Sequence, residues 1–171
     1  MASKPSAEEL SKIRLAIREP KVWVAGDEIG WVLNGAGPPP GYKFRAPLSF
    51  KASPDVQPAE LFVSGYYKES SIPGVAPKLS FGLFYHGYRV LGIDDGPPSS
   101  HFNKVGEGLP YYQQQVNHPQ LHMVADDAIY GYAEPLKNGS PQSFWELFLT
   151  HSSISNAPEF KLPEVQLEMD V

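Results

Sequence analysis

The sequence predicts an α+β fold, a mostly antiparallel sheet of about six to eight strands flanked by an N-terminal and a C-terminal helix. Three observations lead there. Capped helical spacing of apolar residues marks the two ends of the chain, the hydrophobic period is mostly two in between, and short glycine-centred links join the apolar runs.

At the N-terminal end, Ser6 followed by Glu9 makes a capping-box pattern, and Leu10, Ile13 and Ile17 repeat at helical spacing until Pro20. This gives a helix over Ala7–Arg18, with Glu8, Lys12 and Glu19 on its wet side. From Lys21 the alternation takes over. Val22-Trp23-Val24 and Ile29–Leu33 flank Gly26-Asp27 and predict a short hairpin. A proline-rich loop follows over 36–41, and then Tyr42, Phe44, Ala46, Leu48 and Phe50 alternate with polar partners. Pro47 in that run predicts a sheet edge or a bulge, because it has no N–H. Glu60–Tyr67 reads as the next strand. Leu79–Tyr85 and Tyr88–Ile93 around His86-Gly87 predict a hairpin, with the glycine supplying positive φ.

Residues 94–108 are a loop by composition. The stretch 118–132 fits a helix ending at Gly131 or a hairpin around Asp126-Asp127, and the aromatic and β-branched residues of 129–132 favour the hairpin. Ser140-Pro141 then starts a second helix running to about Thr150, with Phe144, Leu147 and Phe148 as its apolar stripe. Residues 152–171 read as an edge strand or a flexible tail, with alternation at Val165, Leu167 and Met169. No internal repeat or linker divides the chain, so 1–171 is read as one domain.

Composition bounds the function. The 171 residues are 42% hydrophobic and 12% aromatic, enough for a core, and no apolar run is long enough to span a membrane. No cysteine is present, so disulfides and thiolate metal sites are excluded. Met1–Pro5 lead into a polar helix without the apolar core of a signal peptide, and a cytoplasmic protein is expected. A net charge of −5 argues against coating nucleic acid by charge alone.

Chemistry is expected at 84–123, which holds four of the five histidines, His86, His101, His118 and His122. With Arg89 and Lys104 against Asp94, Asp95 and Glu107, that segment is −1 with its histidines neutral and +3 with all protonated. His118 and His122 have the i,i+4 spacing of a helical zinc pair, but Pro119 and an extended reading both separate the rings. No metal ligands or cofactor are assigned. His101 and Lys104 on a glycine-proline loop supply a proton carrier and a cation, the ingredients of metal-independent phosphodiester cleavage. Asp94 closes a strand where it can orient a ring or contact substrate, and His122 is the second acid/base candidate. Tyr111 and Tyr112, as stacking rings, and Asn103 are candidate substrate contacts. His86 and His151 are read as structural.

The run Asp94-Asp95-Gly96-Pro97-Pro98-Ser99-Ser100-His101-Phe102-Asn103-Lys104, after an aromatic hairpin and before a late histidine, resembles the TumE-type toxin family of bacterial toxin–antitoxin modules. The resemblance spans about 78–125. It implies an RNA substrate, an antitoxin-like protein partner, and catalytic roles for Asp94, His101 and Lys104. The chain departs from the family in carrying His101 singly and no histidine directly after Lys104. The segment Gly131-Tyr132-Ala133-Glu134-Pro135 is similar to prophage-associated bacterial proteins. Two other functions fit the same residues: a non-catalytic protein-binding module using exposed tyrosines and the acidic C-terminus, and a metal-dependent hydrolase using His101, His118 or His122 with Asp94 or Asp95.

Overall fold

Periodicity decides most of the elements seen in the computed structural model, which describes residues 4–97 and 100–164. Helix α1 spans Ala7–Arg18, and the Ser6 hydroxyl accepts from the Glu9 N–H at 3.1 Å, satisfying one of the free donors of its first turn. The strands follow as β1 Lys21–Trp23, β2 Val32–Leu33, β3 Gly41–Phe50, β4 Phe62–Lys68, β5 Lys78–Tyr85 and β6 Tyr88–Asp95. Next come β7 His101–Phe102, β8 Gln115–Val116, β9 Gln120–Ala125 and β10 Ala128–Pro135, then α2 Pro141–Ser152 and β11 Ile154–Ser155. The α+β class therefore holds.

The main sheet runs β10-β9-β6-β5-β4-β3-β1-β11, with β2 also on β3, and is antiparallel except where β11 joins β1. Short β7 and β8 pair separately. The β5–β6 hairpin turns at His86 and Gly87, both at positive φ. Residues 118–132 contain a β9–β10 hairpin around Asp126-Asp127 and no helix.

Two expectations require correction. β1 does not pair with β2, because both lie against β3, β1 at its Phe50 end and β2 at its Tyr42 end. Long-range anchors decide this: Trp23 packs edge-on against Trp145, centroids 5.9 Å apart, and Lys21 is drawn to the end of α1. Pro47 sits in neither an edge strand nor a bulge. The Leu48 N–H points to β4, toward the Leu61 carbonyl, so position 47 faces the other side, in the gap between β1 and β2 where no donor is needed.

Both helices cover one face of the sheet. Trp145 and Phe148 of α2 meet Phe81 at 5.0 and 5.8 Å, and Trp145 meets Phe44 at 6.0 Å. Removing such a ring from a core costs about 3–5 kcal/mol. The segment after β11 closes this core: Phe160 is buried, Trp145 donates to the Pro158 carbonyl at 2.9 Å, and Trp31 donates to that of Lys161. Val165, Leu167 and Met169 lie outside the described residues. Among the described residues, no helix is long and apolar enough to cross a membrane.

Lys21 is fully buried, and its ammonium donates to the Ala16, Ile17 and Glu19 carbonyls at 2.5, 2.9 and 2.7 Å. It closes the negative end of the α1 dipole. Burial pulls it down to about 8, against the upward pull of the Glu19 carboxylate. Lys21→Met, which keeps the bulk and strands three carbonyls, is expected to lower unfolding free energy by about 3 kcal/mol. Urea denaturation checks this, and an unchanged midpoint would show that the carbonyls find other partners.

Candidate functional site

The sheet face turned away from the helices carries the candidate site, and its residues follow from register. Phe62, Ser64, Tyr66 and Lys68 of β4 lie opposite Phe84, Gly82, Ser80 and Lys78 of β5. These in turn lie opposite Arg89, Gly92 and Asp94 of β6, with His122 of β9 beside Gly92. Arg89 and Asp94 are five residues apart and would fall on opposite faces of a regular strand. A register shift between Arg89, which pairs with Phe84, and Leu91, which pairs with Leu83, leaves Val90 as an extra residue and returns Arg89 and Asp94 to one face.

Two glycines make room for the arginine. Gly82 and Gly92 are direct cross-strand partners, and a Cβ on Gly92 would stand 2.3 Å from the Arg89 guanidinium carbon. A Cβ on Gly82 would stand 2.8 Å from Arg89 Nε. Arg89 thus lies flat over two residues without side chains. Its guanidinium reaches Asp94 with both nitrogens, Nη1 to Oδ2 at 3.1 Å and Nη2 to Oδ1 at 2.7 Å, and Nη2 also donates to the Phe81 carbonyl at 2.9 Å. Ser80 Oγ donates to Asp94 Oδ1 at 2.6 Å. Burial alone would raise the Asp94 carboxyl. Hydrogen bonds from His122, Arg89 and Ser80, with the charge of Arg89, outweigh it and hold the group well below the usual carboxylate range.

His122 is buried, with Nε2 3.0 Å from Asp94 Oδ2. Its Nδ1 is buried without a hydrogen-bond partner among the described residues. Against it, ring centroids 5.3 Å apart, stands His101, whose Nε2 lies 2.7 Å from the Gly131 carbonyl oxygen. A carbonyl only accepts, so His101 Nε2 carries a proton and, in the neutral ring, Nδ1 carries the lone pair. Tyr130, an exposed ring, lies parallel to His122 at 6.2 Å.

His101 owes its place to an edge. β10 ends the sheet, and its outward backbone groups need partners. His101 takes the Gly131 carbonyl. Asn103 takes both groups of Ala133, donating Nδ2–H to its carbonyl at 2.8 Å and accepting its N–H at 2.8 Å. Asn103 also donates to the Tyr111 carbonyl, and Asp127 accepts the Gly106 N–H at 2.9 Å, which fastens the loop between β7 and β8.

The structure thus brings together His101, His122 and Asp94 and adds Arg89, Ser80 and Tyr130, which sequence patterns alone do not nominate. Asn103, expected at the substrate, is fully buried and spent on backbone, so it is a clamp on the edge strand. Tyr111 and Tyr112 are half-buried, and the exposed rings near the histidines are Tyr130 and Phe102. Lys104 is exposed and has no hydrogen bond or ion pair among the described residues. His118 pairs with Asp95 at 3.0 Å, away from His122, because Asp94 and Asp95 point to opposite faces. Among the described residues, no three His, Cys, Asp or Glu side chains are grouped as a metal site. His86 is exposed in its turn, 3.8 Å from Glu60, and His151 is exposed at the end of α2.

Comparison of the chain with protein-family models, curated proteins and solved structures finds no match.

The Arg89–Asp94 pair makes a stability prediction. Asp94→Asn leaves the part-buried Arg89 without its counter-charge and is expected to cost about 2 kcal/mol at neutral pH. Because the folded-state carboxyl titrates lower than the unfolded one, its stabilisation is complete above about pH 4 and fades as pH falls below that. Denaturation at several pH values should show wild type and variant converging in acid; a constant gap would contradict the assignment.

Proposed function

We propose that this protein is a toxin-like, metal-independent ribonuclease of bacterial or prophage origin, with His101 and His122 as its proton-transfer pair. The observation that carries the reading is the buried Nδ1 of His122, unpartnered among the described residues, beside His101 and backed by an ionised Asp94. A structural histidine gains nothing from such an atom, since an unmet buried polar group costs about 1–3 kcal/mol. A group held for proton transfer needs it free.

In RNA cleavage, a base removes the proton of the 2′-hydroxyl as its oxygen attacks the neighbouring phosphorus. The bond to the 5′-oxygen breaks, an acid protonates that leaving oxygen, and a cyclic phosphate remains. His101, with Nε2–H fixed on the Gly131 carbonyl, offers Nδ1 as the base. His122 is assigned as the acid, because Asp94 holds its Nε2 and leaves Nδ1 as the nitrogen that can pass a proton to the leaving oxygen. Asp94 orients that ring, and Arg89 holds Asp94. Arg89 is committed to Asp94, Ser80 and Phe81. Lys104, exposed just after the anchored Asn103, is therefore the cation assigned to the phosphate. Tyr130 is the ring offered to a base.

Incubation with RNA tests the reading. Wild type should cleave without added metal and leave cyclic-phosphate ends, while His101→Ala and His122→Ala should each lose about 100-fold or more in rate. Equal cleavage by all three, or none by wild type, removes the ribonuclease and leaves a protein-binding module centred on Tyr130.

A further inference from the structure

The open face extends well beyond the histidines. On β3, Lys43 and Arg45 lie opposite Tyr66 and Ser64 of β4, and Lys68 of β4 lies opposite Lys78 of β5. Arg45 places its guanidinium carbon 3.7 Å from the centroid of the Phe62 ring, and Phe62 stacks on Phe84 at 4.9 Å with planes 2° apart. Phe84 in turn leans over Gly82, where a Cβ would stand 2.9 Å from its ring. Lys78 lies 5.8 Å from the Tyr66 ring. Both helices pack on the other face, and Lys43, Arg45, Lys68 and Lys78 are exposed.

We propose that this face is a binding track for single-stranded RNA, running from the Arg45–Phe62–Phe84 stack across the sheet to His122 and His101. The inference rests on the ribonuclease reading and names how its substrate is held.

Two features favour a single strand over other occupants. The first is charge. The whole chain is −5, yet the strand positions of this face carry Lys43, Arg45, Lys68, Lys78 and Arg89 against Asp94. A cationic stripe on an acidic protein suits a polyanion. The second is the alternation of those cations with aromatic rings. The cross-strand Phe62–Phe84 pair steadies the sheet, and its arginine cap adds an exposed guanidinium plane; unpaired bases stack on aromatic faces and guanidinium planes, and duplex bases cannot. From β4 to β9 there are three inter-strand spacings, roughly 14 Å, so a strand whose base stacks on the Arg45 guanidinium that caps Phe62 reaches the histidine pair within a few nucleotides.

The test separates binding from cleavage. A short fluorescein-labelled 2′-O-methyl single strand has no free 2′-hydroxyl and is not cut, so anisotropy reads affinity alone. Wild type should bind it, and Phe62→Leu and Arg45→Ala should each weaken binding about tenfold. Arg45→Ala should also flatten the dependence of log affinity on log salt by about 0.7. A duplex of the same sequence and polyglutamate should compete poorly. Absence of binding, wild-type affinity in both variants, or displacement by polyglutamate at matched charge overturns the track, the last outcome marking an acidic-peptide surface instead. Parallel assays on unmodified RNA keep the two readings apart. A strand bound through Phe62 and Arg45 but never cut preserves the track and removes the ribonuclease. Cutting with affinity unchanged in both variants removes the track alone.

Discussion

The Arg89–Asp94 pair is the interaction on which the open face depends. A bidentate arginine–carboxylate contact is directional, and it fixes Asp94 Oδ2 at the point where His122 Nε2 arrives. Three backbone conditions make it possible. Val90 must be an extra residue, so that odd spacing still gives a common face, and Gly82 and Gly92 must lack side chains, so that the guanidinium can lie down. Loss of either partner leaves an unpaired, part-buried charge, which ties the chemistry of the face to the stability of the central hairpin.

A second constraint comes from the sheet edge. An open edge strand invites pairing with another chain, and β10 avoids this with side chains from β7 and the loop after it rather than with a further strand of the main sheet. His101 and Asn103 both serve that end, but they divide in consequence. Asn103 exhausts its amide on Ala133 and Tyr111 and disappears from the surface. His101 uses one nitrogen on Gly131 and keeps the other, so edge protection also delivers an imidazole next to His122. The same loop carries Lys104, a cation with no partner among the described residues.

Much of the architecture was legible in the sequence, for a physical reason. α1, α2 and the strands from β3 to β6 carry strong periodicity with caps and turn glycines, and local chemistry suffices to place them. β1 and β2 carry two or three residues each, and their partner was settled by Trp23 and Lys21 reaching other elements of the fold. Within the site, His101, His122 and Asp94 could be nominated because their types and proximity are visible. Arg89 was hidden by its odd spacing from Asp94, although two glycines inside apolar strands, Gly82 and Gly92, were the available sign of a close approach. Asn103 was misread because an amide in a polar loop looks the same whether it meets solvent or a strand thirty residues later.

The proposed chemistry turns on which nitrogens the two histidines leave free. Proton-detected nitrogen NMR of the imidazoles in the intact protein measures this directly. The geometry calls for a proton on Nε2 of both rings, that of His122 shared with Asp94 and that of His101 with the Gly131 carbonyl, and for a change at His122 when Asp94 becomes asparagine. A neutral His122 protonated only at Nδ1, or a His122 signal indifferent to Asp94→Asn, would contradict it.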